Sequence, residues 1–173
     1  MQNLLKNWKN NIEDISSIEF LKEKSLFFKD PLKEGYSEER LENFLDFFLL
    51  KHSDKLSLPE TYKTILITSL HSIFEYKKNF FNKYYLQDLK TSKKYFFTEK
   101  TLLPNDVFSG RLLSFQDQYF LLPGVLHFPK EIKPYVKKSR ISTLEWEFIL
   151  DKFQFYKHLP FKKFLESFYP WVI

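Results

Sequence analysis

Apolar positions recur first at a helical period, then at a strand period, then at a helical period again. Leu4, Leu5, Trp8 and Ile12 line one face, which predicts an amphipathic helix over residues 2–13. Ser16 with Glu19 three residues later has the form of a capping box and opens a second helix, whose apolar face reads as Ile18, Leu21 and Phe28. Pro31 and Gly35 then punctuate the chain. Ser37 caps a third helix, with Glu38 and Glu39 in the first turn and Tyr36 placed to staple onto Leu41. Leu41, Phe44, Leu45 and Phe48 form its stripe. Phe47, Leu49 and Leu50 widen that stripe, so the helix over 38–50 is expected to be buried on more than one side. Pro59 opens a fourth helix over 59–70, through Tyr62, Ile65, Leu66 and Leu70.

After His71 the period shortens. Ile73, Phe74 and Tyr76 suit one strand, and Tyr84 to Leu89 suit another. The polar connection Lys90-Thr91-Ser92-Lys93 leads to Tyr95, Phe96 and Phe97 and reads as a β-hairpin. Leu103-Pro104-Asn105-Asp106 is a turn, a strand runs from Val107 to Phe115, and Gln116-Asp117-Gln118 turns the chain into Tyr119 to Leu122. Pro123-Gly124 matches the central pair of a type II turn, and Val125 to Phe128 resumes the strand. Helical pattern then returns. Lys130 to Arg140 is a basic segment interrupted by Pro134, and Ser142 with Glu145 is a second capping box opening a helix over 143–157. Phe161, Phe164, Leu165 and Phe168 mark a last helix.

The pattern predicts an α+β fold within a single domain spanning residues 1–173. Residues 1–70 and 129–173 are helical, and 71–128 form a small antiparallel β-barrel or curled sheet of five or six strands.

From about Phe44 to Lys138, roughly half the chain, the order of features resembles the body of a group of uncharacterised bacterial proteins. Many of these carry a cysteine-rich SEC-C metal-binding segment at one end. The resemblance rests on Leu86-Gln87-Asp88-Leu89 before an aromatic strand, on Pro104-Asn105-Asp106, and on Arg111 a few residues later. Ser92 and Asn105 stand where that pattern has turn glycines, and the metal-binding segment is missing along with every cysteine. The resemblance implies a fold and no activity.

Composition changes the picture in two ways. Aromatics make up 20% of the chain, with 21 Phe and 10 Tyr, yet there is no alanine, and Lys outnumbers Arg by 24 to 3. Those biases point to coding composition, so most Phe residues are expected to be core filler. The net charge of +5 is unevenly spread: residues 1–56 carry 9 basic and 11 acidic groups, whereas residues 130–173 carry 9 and 5. A lysine excess favours solubility and nonspecific attraction to anions over base reading, where arginine supplies the bidentate fork.

Zero cysteines exclude disulfides, thiolate nucleophiles and thiolate zinc sites. The first residues lack the apolar run of a signal peptide, and apolar residues nowhere persist long enough to span a bilayer, so a cytoplasmic location away from membranes is expected. His52, His71, His127 and His158 show no metal-ligand spacing, and three glycines make no phosphate-cradling loop, so no metal, cofactor or catalytic residue is assigned.

Arg111 shares a strand face with Val107, Leu113 and Phe115, with Gly110 beside it as a candidate bulge; a structural ion pair is its expected role, with Asp88 and Asp106 satisfying turn amides. Were it not so satisfied, Arg111 would be a candidate anion or ligand contact. Lys130, Lys133, Lys137, Lys138 and Arg140 form the densest basic segment; with Tyr84, Tyr85, Tyr95, Phe96 and Tyr119 it outlines a single-strand nucleic-acid surface. Phe148 and Phe155, off the main stripe of their helix, and Trp171 near the chain end are candidate protein contacts. The reading adopted is a non-catalytic cytoplasmic binding protein whose partner is another protein or a second copy of itself; nucleic-acid binding is the alternative.

Overall fold

Where the apolar period is that of a helix the chain is helical, and where it shortens the chain forms strands. The computed structural model describes residues 2–28, 36–78, 81, 83–97 and 107–173. The turns expected at Pro31 and Gly35 and at Leu103-Pro104-Asn105-Asp106 lie outside these residues. The fold is α+β, with a six-stranded antiparallel sheet preceded and followed in the chain by helices. Helices α1 (Gln2–Lys6), α2 (Ser17–Phe27), α3 (Glu38–Lys51) and α4 (Glu60–Ile67) precede strands β1 (Leu70–Lys78), β2 (Tyr84–Asp88), β3 (Lys94–Phe97), β4 (Val107–Phe115), β5 (Gln118–Leu121) and β6 (Leu126–His127). Helices α5 (Lys133–Lys138), α6 (Thr143–Phe153) and α7 (Phe161–Phe168) follow. The sheet order is β3-β2-β1-β4-β5, with β6 also paired to β4. The chain divides into two compact units, residues 1–70 with 110–125 and residues 71–109 with 126–173.

In the first unit the helix starts follow local chemistry. Ser16 Oγ accepts from the Glu19 amide (3.3 Å) and Ser37 Oγ from the Arg40 amide (3.2 Å), each satisfying a donor that the helix leaves unpaired. The expected first helix is shorter than its apolar pattern: after α1 the chain tightens into a 3-10 segment, Trp8–Asp14, which still buries Trp8. The apolar face of α2 is not the one expected. Phe20 meets Phe44 and Phe48 at ring-centroid distances of 5.4 and 5.1 Å, and Phe27 meets Phe44 at 5.2 Å, while Ile18 and Leu21 point outward. Tyr36 packs on Phe28 (4.2 Å) and donates its hydroxyl to the Phe28 carbonyl, which draws the start of α3 onto the end of α2. The fourth helix stops at Ile67, three residues earlier than expected, because Leu70 already belongs to β1.

The second unit is built on the β1–β2–β3 meander. Asp88 Oδ1 accepts from the amides of Lys90 (2.8 Å) and Thr91 (3.2 Å), and Ser92 takes a left-handed φ of 63°. Asp88 is therefore a turn-former, and Ser92 occupies the position a glycine would fill at lower cost. Ser142 and Glu145 form the full capping box of α6. That helix ends at Phe153, and a 3-10 turn, Gln154–Tyr156, completes the stretch expected as one helix. Pro134 sits in the first turn of α5, where its missing N–H is tolerated, so it starts that helix instead of interrupting it. The core of this unit joins Ile73, Val107, Leu126, Trp146, Leu150 and Phe164 across strands and helices.

The β4–β5 hairpin, in the first unit, turns through Gln116 and Asp117 with φ of 49° and 59°, a primed turn made without glycine. Left-handed backbone costs an L-residue roughly 1–2 kcal/mol, partly offset by glycine's larger loss of freedom on folding. Ser92→Gly, and Asp117→Gly separately, are each expected to raise the urea unfolding free energy by about 0.5–1 kcal/mol, with unchanged far-ultraviolet circular dichroism.

Candidate functional site

Arg111 is buried, at 3% exposure, in the first unit. Its guanidinium donates to the Asn43 carbonyl (3.3 Å), lies 5.9 Å from the Phe47 ring centre and faces the Asp46 carboxylate, all on α3. Asp88 is in the other unit, closed on its own turn, and Asp106 lies outside the described residues.

Around Arg111 the helix presents Arg40, Asn43 and Asp46 at three-residue intervals, each at most 1% exposed. Arg40 Nη1 donates to Asn43 Oδ1 (2.7 Å), and Arg40 stacks 4.3 Å above the Phe27 ring. Asn43 Nδ2 donates to the Gly124 carbonyl (3.2 Å), and the Gly124 amide donates to Asp46 Oδ2 (2.5 Å). A Cβ at Gly124 would lie 2.7 Å from both Asn43 Cα and the Glu42 carbonyl and would collide with Asp46 Oδ2. Glycine is needed here for close approach. It is not in a type II turn: its φ lies outside the left-handed region, and Val125 N–H bonds the Pro123 carbonyl (2.8 Å) across a three-residue turn. Burial pushes the Asp46 carboxyl up to about 6, against the opposing pull of Arg111, the Gly124 amide and the Trp8 indole. Trp8 Nε1 makes no full hydrogen bond, so its contribution is that of a nearby dipole.

A second polar group lies in the second unit. Glu147 on α6 is fully buried; its Oε1 accepts from Ser109 Oγ (2.7 Å) and sits 2.8 Å from His71 Nε2. Serine, histidine and carboxylate are all present, but the order is wrong for a nucleophile. A catalytic triad sets the imidazole between hydroxyl and carboxylate, whereas here the carboxylate lies between the other two. The arrangement ties β1, β4 and α6 together and exposes no activated oxygen, since Ser109 is itself fully buried.

The basic segment is also in the second unit, apart from Arg111. Lys130, Lys137, Lys138 and Arg140 are exposed, while Lys133 turns to Glu75 (2.9 Å). Phe148 is half-buried. Trp171 is 71% exposed and forms the outer end of an aromatic series, meeting Tyr169 at 5.5 Å, which in turn meets buried Phe164 at 5.7 Å. Among the described residues no group of three or more His, Cys, Asp or Glu is placed to hold a metal, and no helix is long and apolar enough to cross a membrane.

Sequence reasoning missed Asn43, Asp46 and Glu147. The available sign was a polar residue recurring inside helices that are apolar on several sides. It also missed the outward stripe of α2, where Ile18, Leu21 and Leu26 are 78%, 64% and 63% exposed.

Asp46 has its ordinary value of 3.8 in the unfolded chain and about 6 in the fold, so the folded protein binds the extra proton between those limits. The Asp46 contribution to stability is then fully present below about pH 4, is lost as pH rises to 6, and is flat beyond, by about 3 kcal/mol in total. Asp46→Asn is expected to remove this fall from urea titrations at several pH values. Gly124→Ala is expected to lose about 1–3 kcal/mol at any pH by overpacking.

Comparison of the chain with protein-family models, with curated proteins and with solved structures found no match to any of them.

Proposed function

We propose that this protein is a non-catalytic binding module whose principal contact is with another protein or a second copy of itself. One observation carries the reading: the outer face of α2 is apolar although its inner face is already satisfied. Phe20 and Phe27 are packed against α3, yet Ile18, Leu21 and Leu26 stand in solvent on the opposite side. A solvated helix face is normally polar, and contiguous exposed aliphatics mark contact surfaces. The acidic neighbours strengthen the patch. Glu19 pairs with Lys55, and Glu23 with Lys51 (2.7 Å), so these carboxylates are held back against the body of the unit. What faces out is three aliphatic side chains with Lys22 and Ser25 between them.

A partner matching this surface presents an apolar groove wide enough for one helix face, which is how amphipathic helices are commonly recognised. Trp171, exposed at the end of its aromatic series, is a second and separate contact of the kind that anchors interfaces. The lack of cysteine suits a reducing compartment, and we place the protein in the cytoplasm.

Leu21→Glu puts a charge at the middle of the stripe without touching the Phe20 and Phe27 side. It is expected to leave the thermal midpoint unchanged while abolishing self-association in concentration-dependent light scattering, or the recovery of a specific co-purifying protein. An identical association state and identical co-purifying proteins for wild type and variant would remove the reading.

A further inference from the structure

Independently of the α2 surface, we propose that one end of the β1–β2–β3 meander is a stacking platform for single-stranded nucleic acid. The register fixes which side chains share this face. Glu75 is opposite Gln87, which is opposite Lys94; Lys77 is opposite Tyr85, which is opposite Phe96. The other face carries Phe74, Leu86 and Tyr95, all buried. Ile73, on the same face as Glu75 and Lys77, enters the core with Trp146 and Phe164, so the helices cover that end of the face and reach Glu75 through Lys133. Beyond it the surface is aromatic and cationic. Tyr85 and Phe96 form a cross-strand pair with centroids 5.4 Å apart and planes at 41°, and Phe96 is 50% exposed.

Charge selects the occupant. Lys94 Nζ stands 5.3 Å from the Tyr85 ring centre, and Glu75 is held by both Lys77 (3.1 Å) and Lys133 (2.9 Å). Two lysines thus hold the Glu75 carboxylate and a third, Lys94, lies over the Tyr85 ring, so these groups keep a net positive charge beside exposed ring. An aliphatic or acidic protein surface would use the charge or the ring area, but not both. A single strand uses both, since its bases stack on aromatic faces while its phosphates meet lysines, with little dependence on sequence. The scarcity of arginine fits this mode, because stacking with point-charge neutralisation requires no bidentate base reading. From the basic segment, Lys133 reaches the platform.

The test is fluorescence anisotropy of the full chain with labelled oligo(dT) of about 15 nucleotides, beside an abasic strand of equal length. Binding is expected for oligo(dT), with a log–log salt slope between about −1.4 and −2 for two or three phosphate contacts. Phe96→Ala is expected to weaken it roughly 5- to 150-fold, and the abasic strand to bind correspondingly less well. Lys94→Glu, at an exposed position, is expected to weaken it as well, and Leu21→Glu to leave it unchanged. No binding at low salt would overturn the proposal. So would equal affinity for the abasic strand, equal affinity of Phe96→Ala, or equally effective competition by polyglutamate, which would assign the face to acidic proteins.

Discussion

The backbone of helix α3 and the backbone at Gly124 approach so closely that no side chain fits between them, and that approach determines much of the first unit. It leaves the Gly124 amide and carbonyl without water, and Asp46 and Asn43 take up both. Asp46 is thereby buried deeply enough to favour its neutral form at moderately acidic pH, and Arg111 supplies the opposing charge. Arg40 completes the arrangement by bonding Asn43 and lying on Phe27. Four polar residues inside an aromatic core would be expensive separately; joined, each satisfies another's exposed donors or acceptors. Replacing Arg111 alone would leave a buried carboxylate with less compensation, and replacing Asp46 alone would leave a buried cation, so the pair is best understood as one structural unit.

What was legible from sequence is what local chemistry decides. The caps at Ser16, Ser37 and Ser142 are set within a few residues, and so is the Asp88 turn. The change from helical to strand period was equally plain, because it is written in alternation rather than in distant contacts. The face of α2 was misread for a definite reason. Ile18 and Leu21 on one side and Phe20 and Phe27 on the other both satisfy a helical period, and periodicity cannot say which of two apolar sides finds a neighbour. Arg111 illustrates the second limit. Its strand face was read correctly as apolar company, but its contact Asn43 lies 68 residues away on a helix, beyond the reach of any local pattern. Gly124 shows a third: the dipeptide suggested turn geometry, whereas the glycine answers to a helix reaching it from far back in the chain.

The two surfaces proposed for binding differ in the physics each would use. The α2 stripe offers aliphatic area and little charge, so its contacts would depend on water release and would be insensitive to salt. The Tyr85–Phe96 face couples ring area to a surplus of ammonium groups, so its contacts would weaken as counterions compete. One lies in the first unit and the other in the second. The abundance of aromatic residues, which composition alone ascribed to core filling, therefore divides: Phe44, Phe48, Phe74 and Phe108 are fully enclosed, while Phe96 and Trp171 are not.

The placement of the three tryptophans has a practical consequence. Trp8 is enclosed in the first unit and Trp146 in the second, each at most 1% exposed, whereas Trp171 is open to solvent. Each unit thus contains its own shielded indole, whose emission would shift to longer wavelength only when that unit opens. Trp171 contributes a constant red-shifted background that a phenylalanine would silence. The protein carries intrinsic optical reporters for whether its two units melt in one step or in sequence.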